Sequence, residues 1–284
     1  MIRRIACGLA ALVCSACALV QSPAERAHDL ALSAGFTALA LTGSSELSLR
    51  AYWRNGLKPG LHPDPGTAPA RLTIYLESDG APWPAPDRPP YDPTPVKPLV
   101  LQMAIADDAA PVAYIGRPCQ YLDDAALAHC DPALWTHGRF SQAAVAAISQ
   151  AVDQLKRAAG ARDVALAGYS GGGTMAALVA ARRNDVTCLV SIASPLDTAA
   201  WTRAIGVSPL RSSLNPASFT AALSGIEQTH FTGSDDEVVP PATIAAFVVP
   251  MKKARVIARA GVDHDCCWAR DWRELKRQSC LAAD

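Results

Sequence analysis

Asp163-Val164-Ala165-Leu166-Ala167-Gly168-Tyr169-Ser170-Gly171-Gly172-Gly173 is the stretch on which the fold turns. Residues 163–167 form a short apolar run with the composition of a buried strand, and residues 170–182 read as a helix. Between them Gly168-Tyr169-Ser170-Gly171-Gly172 has the spacing G-x-S-x-G. A serine that attacks as a nucleophile must stand clear of the backbone on a tight, strained turn, and glycines flank it because strand and helix crowd any Cβ there. The helix that follows aims its free N–H groups and its positive end at a developing anion. The competing reading is a glycine-rich turn that cradles phosphate. Placement directly between a buried strand and a helix favours the nucleophile.

Serine is a weak nucleophile at neutral pH and needs a base, itself oriented by a carboxylate. Downstream of Ser170, Gly233-Ser234-Asp235-Asp236-Glu237-Val238-Val239-Pro240 follows a strand-like run at 229–232, and Gly261-Val262-Asp263-His264 follows another at 255–260. Of the six histidines, His264 alone follows the last strand, while His62, His137 and His230 fall in loops or at a strand start. His264 is therefore the expected base. Asp263, His264, Asp265, Cys266 and Cys267 also invite reading as a metal cluster. Adjacent ligands would crowd one ion, and the spacing matches no zinc pattern, so neither metal nor cofactor is expected.

Residues 36–41 and 47–53 read as two antiparallel opening strands around a Gly43-Ser44-Ser45 turn. Residues 72–76 and 112–115 are short strands, and a proline-crowded loop runs from 82 to 98. A helix spans 141–159, with Ser141 as N-cap, Val145, Ile148, Val152 and Leu155 on one face, and Gly160 as its stop. A strand at 186–193, an insertion at 194–225, a helix near 241–247 and a final helix from about Cys267 complete the chain. Strands alternating with helices imply right-handed crossovers and a mostly parallel sheet covered on both faces, an α/β fold with ligands at the carboxyl ends of its strands.

The 284 residues carry 26 basic and 26 acidic side chains, and half of them are hydrophobic. That is a globular composition with no charge field or basic cluster to bind nucleic acid. Arg3 and Arg4 precede a short apolar stretch that reads as an export signal over residues 1–18. Ser15-Ala16-Cys17 resembles a lipobox, which makes Cys17 a lipidation site and a lipid anchor the membrane contact expected; ordinary secretion after cleavage behind Ala18 is the rival. Nine cysteines, of which Cys7, Cys14 and Cys17 lie in the signal, leave an even six for an oxidising compartment. Cys119 and Cys130 are expected to close a short loop. Cys188 and Cys280 form a second candidate pair, because the strand at Cys188 starts at the bottom of the sheet where the final helix should end.

These motifs resemble the α/β-hydrolase superfamily, over residues 30–284. The resemblance implies a twisted, mostly parallel sheet with helices on both faces and a small cap, here 194–225, after the sixth strand. The G-x-x-D-x-V-V-P run is similar to the family's acid loop and puts the acid at Asp236, ahead of Asp235; a minority of members carry it one strand earlier, which would be Asp197. One oxyanion donor would be the N–H of Gly171. The other falls on the turn after 72–76, where the family commonly has His-Gly and this chain has Glu77-Ser78-Asp79-Gly80; Asp79 is the choice, with Gly80 and Ala81 behind it. Gly116-Arg117-Pro118-Cys119-Gln120-Tyr121, Leu134-Trp135-Thr136-His137-Gly138-Arg139-Phe140 and Cys266-Cys267-Trp268 resemble a subgroup of exported bacterial serine hydrolases.

The resulting expectation is an exported, periplasmic or lipid-anchored serine hydrolase that cleaves a small carboxylic ester through an acyl-enzyme. Amide hydrolysis uses the same triad, and a non-catalytic binding protein can share the fold. Trp83, Trp135 and Trp201 stand on loops leaving strand ends and are expected to line a mainly apolar substrate pocket without a charged anchor.

Overall fold

The computed structural model describes residues 21–42, 47–55, 70–80 and 87–283. The stretch expected to be an export signal, with Cys17, the turn expected at 43–45, and His62, Ala81 and Trp83 lie outside the described residues.

One sheet organises the chain. Its strands are β1 (Thr37–Thr42), β2 (Ser48–Arg54), β3 (Arg71–Leu76), β4 (Val112–Ile115), β5 (Asp163–Tyr169), β6 (Val186–Ile192), β7 (Glu227–Gly233) and β8 (Ala254–Arg259). They lie in the order β1-β2-β4-β3-β5-β6-β7-β8. The β1–β2 and β2–β4 pairs are antiparallel and all others parallel. The helices are α1 (Pro23–Ser33), α2 (Leu99–Ala106), α3 (Asp124–Leu127), α4 (Gln142–Ala159), α5 (Gly171–Ala180), α6 (Thr198–Ala204), α7 (Thr220–Leu223), α8 (Pro241–Val248) and α9 (Trp272–Arg277).

The two-residue period of the strands sorts side chains between two cores. On β3, Leu72, Ile74 and Leu76 face the core formed with α4, α5 and α8, whereas Tyr75 points into the core formed with α1, α2 and α9. The central strands β3, β5 and β6 are buried on both faces and mostly apolar, as expected of parallel strands covered on both sides. Helix α4 begins where Ser141 accepts the N–H of Ala144 and ends at Gly160 in the left-handed region. Its apolar face lies on the sheet as the periodicity predicts. Every residue of α5 is buried, so the elbow helix is a core element.

Several boundaries differ from the sequence expectation. The packed body starts before residue 30, because α1 buries Ala27 and Ala31 against the sheet and opens with a Ser22–Glu25 capping box. The last helix starts at Trp272, not near Cys267. Asp263 accepts the N–H groups of Asp265 and Cys266, and Cys267 has φ +75°, so the chain turns where helix was expected. The 194–225 insertion follows β6 as expected and carries α6 and α7. It packs beside α5 and bonds to Phe140 through the N–H of Leu214. Disulfides join Cys119 to Cys130 and Cys188 to Cys280, the two expected pairs, and also the neighbours Cys266 and Cys267.

Candidate active site

β5 ends on Tyr169, and Ser170 is forced to φ +52°, ψ −127° before α5 begins. A side chain in that region costs conformational energy and is kept only where its surroundings demand it. Gly168 shows the demand: a Cβ there would stand 2.3 Å from the carbonyl carbon of Gly172. The turn cannot close with anything larger.

The structure brings Ser170, His264 and Asp236 together from three strand ends. His264 Nε2 lies 3.2 Å from Ser170 Oγ, and His264 Nδ1 lies 2.9 Å from Asp236 Oδ2. Asp236 is 4% exposed, and its other oxygen accepts the N–H groups of Val238 and Val239 at 2.9 and 2.7 Å. Those bonds aim the remaining oxygen at the imidazole. Asp235 is exposed and takes the hydroxyl of Ser234. Asp197 caps α6 through the N–H groups of Ala199 and Ala200 and accepts from Asn215, so neither of them reaches His264.

Two residues that the sequence motifs contain, but to which no role was assigned, hold the histidine. The carbonyl of His264 accepts from the Tyr169 hydroxyl at 2.9 Å and from the Trp268 indole at 2.8 Å. The Tyr169 ring also lies 5.2 Å from the imidazole, centroid to centroid. Burial, reinforced by the neighbouring Asp265 carboxylate, pushes the Tyr169 phenol far above its ordinary pKa, so it stays a neutral donor. His230, by contrast, is buried in mid-strand against Ser191, away from this cluster.

Asp79 lies beside the elbow. A Cβ on Gly171 would fall 1.9 Å from Asp79 Oδ1, so only glycine leaves room for that carboxylate. Among the described residues, no acceptor takes the backbone N–H of Gly171 or of Asp79. Asp263 is engaged in turn hydrogen bonds and Cys266 and Cys267 are joined in a disulfide, and among the described residues no set of ligands converges on an ion.

A cavity of about 380 Å³ opens over Ser170 and His264. Pro95, Val96 and Leu99 give it an aliphatic side, and Gly80, Lys97 and Asp265 also line it. The expected wall of tryptophans is not what the described residues build. Trp135 is buried with Cys119 and Leu127, its indole donating to Pro90 O, and Trp201 packs on the main core, donating to Val238 O. Both rings serve as loop anchors, and three charged residues, Asp79, Lys97 and Asp265, line the cavity where no charged anchor was expected. The 194–225 segment contributes nothing to the described wall.

Comparison with protein-family models and with curated proteins finds no match. Solved structures do match. Est1E from Butyrivibrio proteoclasticus aligns with TM-score 0.59 at 14% identity, over 85% of this chain and 96% of that one. XC6422 from Xanthomonas campestris, described as an a/b serine hydrolase without lid, aligns with TM-score 0.51 at 16% identity, over 86% and 94%. A puromycin-hydrolyzing peptidase of Mycobacterium tuberculosis aligns with TM-score 0.60 at 14% identity, over 86% of this chain but only 38% of that larger one. Strand order, elbow and these likenesses agree: the chain has the α/β-hydrolase fold.

Proposed function

We propose that the protein is a serine hydrolase that cleaves a small carboxylic ester through an acyl-enzyme. The observation that carries this reading is the continuous relay from Asp236 through His264 to Ser170, with links of 2.9 and 3.2 Å. His264 Nε2 takes the Ser170 proton as Oγ attacks the ester carbonyl. Asp236 keeps the Nδ1–H tautomer and stabilises the imidazolium that forms. The carbonyl oxygen becomes an oxyanion, held by the N–H groups of Gly171 and Asp79. Its collapse expels the alcohol, which carries away the His264 proton. Water, deprotonated by the same imidazole, then attacks the acyl-enzyme and frees the acid and Ser170.

The substrate would lie against Pro95, Val96 and Leu99, and no step calls for a metal or cofactor. Export from a bacterial cytoplasm, with Cys17 as a lipid anchor, is part of the same proposal. Three disulfides among the described residues support an oxidising compartment. None of the described helices is long and apolar enough to cross a membrane.

The test is fluorophosphonate labelling followed by turnover of p-nitrophenyl esters of graded chain length beside peptide anilides. Labelling at Ser170, ester turnover, and a loss of about 10⁴-fold or more in Ser170→Ala are expected. Anilides cleaved faster than esters would make the protein an amidase, and an unlabelled wild type would make it a binding protein.

A further inference from the structure

The turn after β3 supplies the second oxyanion donor in the reading above, and an exit turn of this kind is ordinarily among the more mobile parts of a fold. Here it is gripped from both flanks. Asp79 Oδ1 accepts from Arg117 Nη1 at 3.1 Å, and Asp79 Oδ2 accepts from Arg139 Nη1 at 2.8 Å. The arginines are fixed in turn. Arg117 is 3% exposed, sits 5.0 Å over the Phe140 ring, and donates through Nη2 to the carbonyl of Arg139. Arg139 donates through Nε to Thr136 O at 2.7 Å.

The two residues before Asp79 are held as well. Gln120 Nε2 donates to Ser78 O at 3.1 Å, while its Oε1 takes the N–H of Arg117 at 3.0 Å. Glu77 is fully buried and accepts from the hydroxyls of Tyr114 and Tyr121 at 2.8 and 3.1 Å and from the N–H of Ser78 at 2.7 Å. The Cys119–Cys130 disulfide ties the Arg117 loop to the segment that leads to Arg139.

Charge gives this arrangement its meaning. A lone carboxylate against Gly171 would oppose an oxyanion forming there. Burial works to raise the Asp79 carboxyl, but the charges of Arg139 and Arg117 outweigh it and hold the group ionised below its usual range. Two guanidiniums on one carboxylate leave a net positive charge beside the oxyanion position, in surroundings where Coulomb interactions are strong.

We infer that Arg117 and Arg139 are positioning residues of the reaction: through Asp79 they lock the β3 exit turn so that the N–H groups of Asp79 and Gly171 converge on the oxyanion. This rests on the serine-hydrolase reading. Displacing an oxyanion donor by even an ångström costs the transition state far more than the ground state, so the effect belongs in kcat.

The experiment compares wild type with Arg139→Gln, Arg139→Lys and Arg117→Gln. It measures kcat and KM on a p-nitrophenyl ester, melting temperature, and inhibition by a trifluoromethyl ketone, whose adduct with a serine places an oxyanion in the hole. Arg139→Gln is expected to lower kcat about 30- to 100-fold with KM within about threefold, and to weaken the ketone by a similar factor. Arg139→Lys, which keeps the charge but loses the second donor to Thr136, should recover part of both. In an Asp79→Asn background, Arg139→Gln should add little. Arg139 has the more exposed side chain of the two arginines, so its variants decide the matter if Arg117→Gln does not fold. A folded Arg139→Gln with wild-type kcat and wild-type ketone affinity overturns the clamp and leaves the hydrolase reading intact. A wild type that neither labels at Ser170 nor turns over esters overturns both.

Discussion

His230 is expected to make stability fall with acid at a calculable slope. It sits in the middle of β7, wholly buried, with Nδ1 2.8 Å from the Ser191 hydroxyl on β6 and the Phe247 ring edge-on at 6.1 Å. Its Nε2 has no partner among the described residues. Burial, with no charge bearing on the ring, pushes the imidazole down to about 3 from the ordinary 6.5. Between those values the unfolded chain binds a proton that the folded chain refuses. The stabilising contribution is therefore complete above about pH 6.5 and is lost as pH falls toward 3, at about 1.4 kcal/mol per pH unit. At pH 4.5 the loss amounts to about 3 kcal/mol, a large share of the roughly 5–15 kcal/mol that holds a domain together. His230→Gln keeps a polar partner for Ser191 and removes the titration. Urea unfolding followed by tryptophan fluorescence, with disulfides intact, should give a variant whose stability between pH 4 and 6 is flatter than wild type by about 1.4 kcal/mol per unit. Buried Glu77, whose carboxyl burial raises, pulls the slope the other way as pH climbs, but equally in both proteins, so it cancels from the difference. Parallel curves would show that the imidazole takes up a proton inside the fold, and the argument from burial would fail.

Other outcomes are as definite. Asp236→Asn should lower kcat by about 10⁴-fold, since the Nδ1–H tautomer is no longer enforced, while exposed Asp235→Asn should stay within about threefold; steady-state ester kinetics decide, and the reverse order would move the acid by one position. Trp135→Ala should cost about 3 kcal/mol in urea unfolding and leave KM unchanged, because the ring anchors a loop to Pro90 and does not touch the cavity; a raised KM at wild-type stability would return it to the pocket. If Cys17 is lipidated, the protein should enter the detergent phase and carry palmitate label, and Cys17→Ser should release it; a wild-type polypeptide that begins at residue 19 and stays in the aqueous phase establishes plain secretion.

What was legible in the sequence follows from how local each signal is. The β5–Ser170–α5 elbow is encoded by consecutive residues: an apolar run, a glycine that alone survives the 2.3 Å approach of Gly172, and a fully buried helix. Helix α1 escaped notice because its buried face is Ala27 and Ala31, and alanine carries almost no information about burial. Helix α2, Leu99–Ala106, is apolar at every position but Gln102 and follows a proline-crowded loop, so it shows no 3.6-residue period to read. The tryptophans misled for a related reason. An indole on a loop looks alike whether it faces a ligand or, as Trp135 and Trp201 do, a backbone carbonyl of a neighbouring loop.

The triad and the arginine clamp separate two kinds of long-range information. Ser170 and His264 are 94 residues apart, yet the pairing could be anticipated, because a parallel sheet delivers successive strand ends to one edge and the chain order Ser, acid, His then names the partners. Asp79 lies 38 residues from Arg117 and 60 from Arg139, and no such rule connects them. Each arginine, taken alone in the sequence, has the appearance of an ordinary solvated cation. Their common target appears only when the loop after β4 and the segment before α4 are folded over the end of β3. The runs around Arg117 and Arg139 thus meet on the turn where the sequence has Glu77-Ser78-Asp79-Gly80 in place of the His-Gly common among α/β-hydrolases. On this reading Glu77-Ser78-Asp79-Gly80 supplies the oxyanion donor and is fixed by charge supplied from elsewhere in the chain.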